Sequence, residues 1–171
     1  KCGHFAGKAV IPLTEAVSKV KAAVDARDDP NTMIIARTDA RALEGLEAAL
    51  DRAEAFIEAG ADMTFVEAPT SIDEMRAITA RLSVPQVANM VVGGKTPLTP
   101  QAELADLGFS LVLYANTPLQ AAMRAMSEVL GALKADGDVG SVIDRLADFS
   151  ERQRLVDKDG YEALEARYRL D

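Results

Sequence analysis

The 171-residue chain has one cysteine and one histidine, few aromatic residues, and a shortage of positive charge, with 19 Lys and Arg against 27 Asp and Glu. A single cysteine cannot build an internal disulfide framework, which suits a reducing cytoplasm. A formal charge of −8 disfavours nucleic acid or an anionic membrane surface as partner. It does not exclude small anionic substrates, because a few local cations can outweigh the net field. No apolar run is long enough to span a bilayer, and no basic segment followed by an apolar one reads as a secretory signal. The expectation is a cytoplasmic globular protein.

Four short apolar runs are present: "TMIIAR" (32–37), "DMTFVEA" (62–68), "PQVANM" (85–90) and "SLVLYA" (110–115). Each is nearly continuous rather than alternating, the pattern of strands covered on both faces, as in parallel sheets. Between them lie stretches with a period near 3.6: "LTEAVSKVKAAVDAR", "GLEAALDRAEAFIEAG", "SIDEMRAITARL" and "PQAELADLG". Thr70 or Ser71 can cap the third of these with Glu74 in its first turn, and Gly60 and Gly108 stand where helices stop before strands. Alternation at this spacing predicts an α/β fold with a parallel sheet. After the fourth run the strands cease: "PLQAAMRAMSEVLGALKADG", "SVIDRLADFSERQRLV" and "DGYEALEARYRL" all read as helix. Four strands with their crossovers amount to half of an α/β barrel, and a half-barrel on its own would leave two open parallel edges. The expected layout is barrel half over residues 1–135, with a loop at 1–8, and a helical tail over 136–171. The tail either caps the domain or packs on a neighbouring subunit.

In a parallel α/β barrel, chemistry gathers at the C-terminal strand ends. The four runs deliver Arg37, Thr38 and Asp39; Glu67; Asn89; and Tyr114 and Asn116 to that rim. Arg37 is either a structural ion pair with Glu67 or Asp39, or a bidentate clamp for a carboxylate. Asp39 reads as a cap on the following segment as readily as a chemical group. Asn89 either satisfies a loop backbone or hydrogen-bonds a substrate carboxylate. The Gly-rich "VVGGKTP" lacks P-loop spacing, so a nucleotide-phosphate site is rejected. Cys2 is either an inert small side chain or, with Lys1 and His4 beside it and Gly3 adjacent, a thiol whose pKa is lowered toward neutrality.

The ordered set "KCGH", "GKAVIP", "IARTDA", "EAGADMTFVEAP" and "NMVVGGKTPL" resembles the isocitrate lyase/phosphoenolpyruvate mutase superfamily, and most of all its short members, the methylisocitrate lyase and 2,3-dimethylmalate lyase group. The resemblance covers roughly residues 1–150. It implies a (β/α)8, TIM-type barrel of which this chain is the C-terminal half, and a homotetramer with C-terminal helices swapped between subunits. It also implies Mg2+, or Mn2+ in its place, and cleavage of a carbon–carbon bond in a 2-hydroxy dicarboxylate, giving an α-keto acid such as pyruvate and a second carboxylate.

Carried over residue by residue, the resemblance puts Cys2 on a closing lid as the proton donor, with Gly3 and His4 contacting substrate or shaping the closed loop. Arg37 and Asn89 would bind carboxylates, and Glu67 would be a catalytic member of the polar network. The direct metal ligands are expected upstream of Lys1. Methylisocitrate lyases use two further arginines in segments where this sequence has Gln120 and Phe149. A third substrate carboxylate would lose two cationic partners, which favours a dicarboxylate with apolar substituents, 2,3-dimethylmalate-like, over methylisocitrate. The alternatives are a methylisocitrate lyase; a phosphonopyruvate-type mutase or hydrolase, or an oxaloacetate decarboxylase, which generally lack the Cys-Gly-His lid; and a silent barrel kept for assembly.

Overall fold

A computed structural model describes residues 7–169. The chain forms two compact units, one up to Thr117 and one from Pro118 onward. The first unit is a run of helices and strands in strict alternation, apart from one short extra helix. Helix α1 (Leu13–Asp25) precedes β1 (Ile35–Thr38); α2 (Arg41–Glu44) and α3 (Leu46–Glu58) lead to β2 (Met63–Val66). Helix α4 (Ile72–Arg81) connects to β3 (Val87–Asn89), and α5 (Gln101–Asp106) to β4 (Leu111–Leu113). The expected elements are all present, and the strands are shorter than the apolar runs that announced them.

All strand pairs are parallel. In β1–β2, Arg37 lies opposite Phe65 and Thr38 opposite Val66; in β3–β4, Asn89 lies opposite Leu113. The β2–β3 seam shows one backbone bridge among the described residues, Thr64 with Gln86, where the Thr64 N–H donates to the Pro85 carbonyl at 3.2 Å; Pro85 has no N–H to extend it toward the N-terminal ends of the strands. A buried side-chain bond from Thr64 Oγ1 to Gln86 Oε1 at 2.8 Å reinforces that seam.

Alternation along the strands sorts side chains onto two faces. Ala36, Val66, Ala88 and the following Met90 pack beneath the helices, in clusters with Ala49, Leu50, Ala53 and Ile78, with Phe56 and Ala61, or with Met75, Leu104 and Phe109. The opposite face carries Met63, Phe65 and Val87 as a smaller apolar cluster. Arg37, Glu67 and Asn89 share that second face by parity. Gly60 and Gly108 end α3 and α5 with φ of 100° and 95°. A Cβ at Gly60 would also meet the Val24 side chain at 3.2 Å, so glycine is needed there for conformation and for space.

The second unit is helical: α6 (Thr117–Asp136), a 3-10 turn (Gly140–Arg145), α7 (Phe149–Leu155) and α8 (Lys158–Tyr168). The expected single helix across "SVIDRLADFSERQRLV" is broken. Leu146 is extended, and Asp148 starts α7 by accepting from Glu151 N at 2.7 Å, so a capping side chain inside an apolar-periodic stretch restarts the helix. None of α6's residues is buried, and Leu119, Met123, Met126, Leu130 and Leu133 form an exposed stripe along it. Among the described residues no helix is long and apolar enough to cross a membrane.

Candidate active site

The C-terminal ends of β1, β2 and β3 bring Arg37, Asp39, Glu67 and Asn89 together, and the segment before α1 adds Lys8. Lys8 Nζ donates to Asp39 Oδ1 at 2.9 Å, with the lysine side chain almost wholly buried. Arg37 Nε donates to Asp39 Oδ2 at 2.9 Å, and Arg37 Nη2 reaches Glu67 Oε2 at 3.1 Å. The guanidinium also lies over the Phe65 ring, 4.9 Å from its centroid, which follows from the β1–β2 register that sets residue 37 opposite residue 65. The result is a continuous row, Lys8, Asp39, Arg37, Glu67, Asn89.

Burial graduates along this row. Glu67 is 1% exposed and Arg37 41% exposed, so the carboxylate is taken out of water while its cation stays reachable. A buried carboxylate without a close cation and donors would be strongly disfavoured, and Arg37 and Asn89 supply both. Asn89 Nδ2 faces the two Glu67 oxygens at 3.3 and 3.5 Å, at the long limit for a hydrogen bond. Asn89 Oδ1 is buried and has no partner among the described residues. The amide thus turns its donor toward Glu67 and leaves an unsatisfied acceptor in the site. At Asp39, burial by itself would raise the carboxyl pKa; the hydrogen bonds from Arg37 and Lys8, with their charges, outweigh it and hold the group below its usual value.

Beside the row lies a recess of about 260 Å3 whose lining includes Lys8, Arg37, Asp39, Arg52 and Phe56. Three cations face one carboxylate there, a setting suited to anions. Arg52 is fixed by donating to the Ile11 carbonyl at 2.8 Å. Tyr114, expected at the same rim, directly follows β4 and lines an apolar recess with Met90, Val92 and Leu98. Asn116 adopts φ of 64° in the turn into α6. Cys2, Gly3 and His4 lie outside the described residues.

Lys8 was not among the expected site residues. It sits inside the quoted "GKAVIP" motif, and only the fold, across 31 positions of sequence, shows that it closes on Asp39. No group of three or more Asp, Glu, His or Cys side chains converges as a metal site among the described residues. Asp39 and Glu67 are hard oxygen donors of the right kind for Mg2+, yet both are held by cations, so these residues alone do not fit the ion.

A parallel α/β unit with a charged row at its C-terminal strand ends defines the class. Residues 3–134 match the phosphoenolpyruvate phosphomutase family, and the chain belongs to that phosphoenolpyruvate mutase/isocitrate lyase family. It is 45% identical over 165 residues to the 2-methylisocitrate lyase of Shewanella oneidensis, covering 96% of this chain and 56% of that protein. It is 41% identical over 168 residues to the 2,3-dimethylmalate lyase of Eubacterium barkeri, covering 98% and 58%. A crystal structure of 2,3-dimethylmalate lyase aligns with TM-score 0.88 and 33% identity over 98% of this chain and 56% of that one. A phosphonopyruvate hydrolase solved with oxalate and Mg++ aligns with TM-score 0.81 and 29% identity, over 97% and 60%. The chain thus spans about half the length of the curated relatives it matches.

Proposed function

We propose that the protein is a carbon–carbon lyase of small 2-hydroxy dicarboxylates, cleaving a substituted malate such as 2,3-dimethylmalate to pyruvate and a second carboxylate. The observation that carries this reading is the Lys8–Asp39–Arg37–Glu67–Asn89 row at the strand ends. Arg37 is pre-oriented by Asp39, Glu67 and Phe65 and remains 41% exposed, so a substrate carboxylate meets a guanidinium already in place. Lys8 and Asp39 fix its far edge. Glu67 and Asn89 form the polar wall against which the hydroxyl-bearing carbon is oriented. The Asn89 Oδ1 acceptor suits a hydroxyl or water donor better than a carboxylate.

Cleavage breaks the C2–C3 bond. The hydroxyl passes its proton to a base, for which Glu67 is the candidate in the row, as its oxygen lone pair becomes the keto C=O; the electron pair of the broken bond stays on the departing carbon, beside a carboxylate, until a proton arrives. Cys2, on a lid with Gly3 and His4, supplies that proton, and closure of the lid excludes water. Mg2+ would supply Lewis-acid chemistry to this reaction, although the described residues alone do not hold it. Among known relatives, the Mg++ and oxalate of the aligned hydrolase structure support its use. The helical second unit, with its exposed α6 stripe, packs between subunits of a homotetramer working in the cytoplasm.

Gln120 and Phe149, in place of two arginines, favour a dicarboxylate over a tricarboxylate. The 45% identity to a methylisocitrate lyase favours the second reading, turnover of methylisocitrate. The test incubates full-length protein and Mg2+ with 2,3-dimethylmalate, methylisocitrate, isocitrate and oxaloacetate, and follows α-keto acid. Pyruvate from dimethylmalate but not methylisocitrate supports the first reading; equal turnover of methylisocitrate sinks the argument from Gln120 and Phe149. Cys2→Ser should abolish cleavage with substrate binding nearly intact.

A further inference from the structure

The turn that follows Glu67 is held from outside the charged row. Ala68, buried directly after Glu67, has φ of 60°. A residue with a Cβ adopts this left-handed conformation only where its surroundings over-determine it. Pro69 comes next and has no N–H with which to anchor the turn. The anchor is at Thr70, whose N–H donates to Glu74 Oε2 at 2.7 Å. Glu74 in turn sits in the first turn of α4, where its own N–H donates to the Ser71 Oγ cap at 3.2 Å. In an ordinary capping box the glutamate would return to the cap residue's own N–H. Here it reaches one residue further back, and its carboxylate is shared with Arg41.

Arg41 opens α2, two residues beyond Asp39. Its Nε donates to Glu74 Oε2 at 2.9 Å, and its Nη2 donates to Glu74 Oε1 and to Thr70 Oγ1. One planar guanidinium therefore ties the loop after β1, which carries Asp39, to the loop after β2, which carries Glu67. Both side chains are only about a fifth exposed, and the Arg41 hydrogen bond holds the Glu74 carboxyl below its usual pKa, against the opposing effect of burial. This differs from Arg81, which meets Glu47, Asp51 and Glu54 of α3 on an exposed helix face and borders no strand-end turn.

We propose that Arg41 and Glu74 are positioning residues: their clamp on Thr70 holds the left-handed Ala68 turn and thereby aims the Glu67 carboxylate at Arg37 and Asn89. This rests on the reading of the charged row as the catalytic site. Loss of the clamp frees the turn to relax toward ordinary extended backbone, which rotates Glu67 away from Arg37.

The test compares full-length wild type with Arg41→Gln, Glu74→Gln, Arg41→Lys and Arg81→Gln. Arg41→Gln and Glu74→Gln should each lower kcat about tenfold with KM changed less, since displacement of a reacting group by a fraction of an ångström costs that much. Arg41→Lys should recover part of the loss, and Arg81→Gln should leave kcat unchanged even where it lowers the melting temperature. Unchanged kcat in Arg41→Gln, or an equal fall in Arg81→Gln, overturns the proposal. A crystal structure of Arg41→Gln reads the clamp without any assay. The Arg37–Glu67 contact should open from 3.1 Å to beyond about 4 Å, and Ala68 should leave the left-handed region. Retention of both overturns the clamp. Absence of wild-type turnover on all four acids would instead contradict the lyase reading, and the crystallographic comparison would still decide the clamp.

Discussion

Helices α3 and α6 carry the same kind of amphipathic sequence and meet opposite fates. Helix α3 buries Ala49, Leu50, Ala53 and Phe56 against the strands, whereas α6, seven residues longer, buries nothing. Periodicity fixes which side of a helix is apolar and leaves open what covers it. In the first unit the cover is the parallel sheet, present in the same chain. In the second, Leu119, Met123, Met126, Leu130 and Leu133 lie open, and the proposed subunit contact is what would close them.

The contrast can be broken most strongly at a core leucine. Leu50→Ala, at a site 1% exposed, should cost about 2–5 kcal/mol in urea unfolding through transfer and cavity terms. Leu130→Ala, at a site 63% exposed, should cost less than about 0.5 kcal/mol in the isolated chain. A core-sized loss at Leu130 in the full-length protein, together with a shift to smaller species in sedimentation, would show the stripe covered by another subunit.

A smaller loss is expected at the cap of α4. Ser71→Ala should cost about 1 kcal/mol, because Ser71 Oγ accepts the Glu74 N–H at the start of a helix packed into the first unit.

The smallest effect is electrostatic. Asp39 and Glu74 have folded pKa values below their unfolded values near 4, so each favours the folded state while ionised. That contribution is fully present above the unfolded pKa and is lost as pH falls through the lower folded one. The urea midpoint should therefore be flat from neutrality to about pH 5 and decline below it, less steeply in Glu74→Gln. Glu128 and Asp148 of the second unit are also lowered, by Arg145 and by Ser150 respectively, but on the exposed surface. Added salt should screen the Glu128 pair more than the part-buried first-unit pairs.

Much of the first unit was legible because each strand is an apolar run closed by glycine, proline or a charged residue, and each helix keeps its period between such stops. Arg37, Glu67 and Asn89 were legible for the same reason, as polar residues ending apolar runs. Their partnership was not. The stacking of Arg37 on Phe65 depends on strand register, Lys8–Asp39 on the path of the chain before α1, and Arg41–Glu74 on two loops brought together by parallel pairing. The left-handed Ala68 is invisible in composition, since nothing about alanine announces φ of 60°. The break at Leu146–Asp148 was hidden because Asp148 falls on the polar side of an otherwise continuous period, where a cap and a surface aspartate look alike.

The proposed lyase activity requires the charged row to be a carboxylate-binding site. Titration calorimetry of oxalate, in the presence of Mg2+, into full-length wild type and Arg37→Gln tests this most directly. Wild type should bind, and Arg37→Gln should bind about thirtyfold more weakly or worse, as loss of a pre-oriented charge pair requires. Equal affinity in the two proteins would show that Arg37 does not bind the substrate carboxylate.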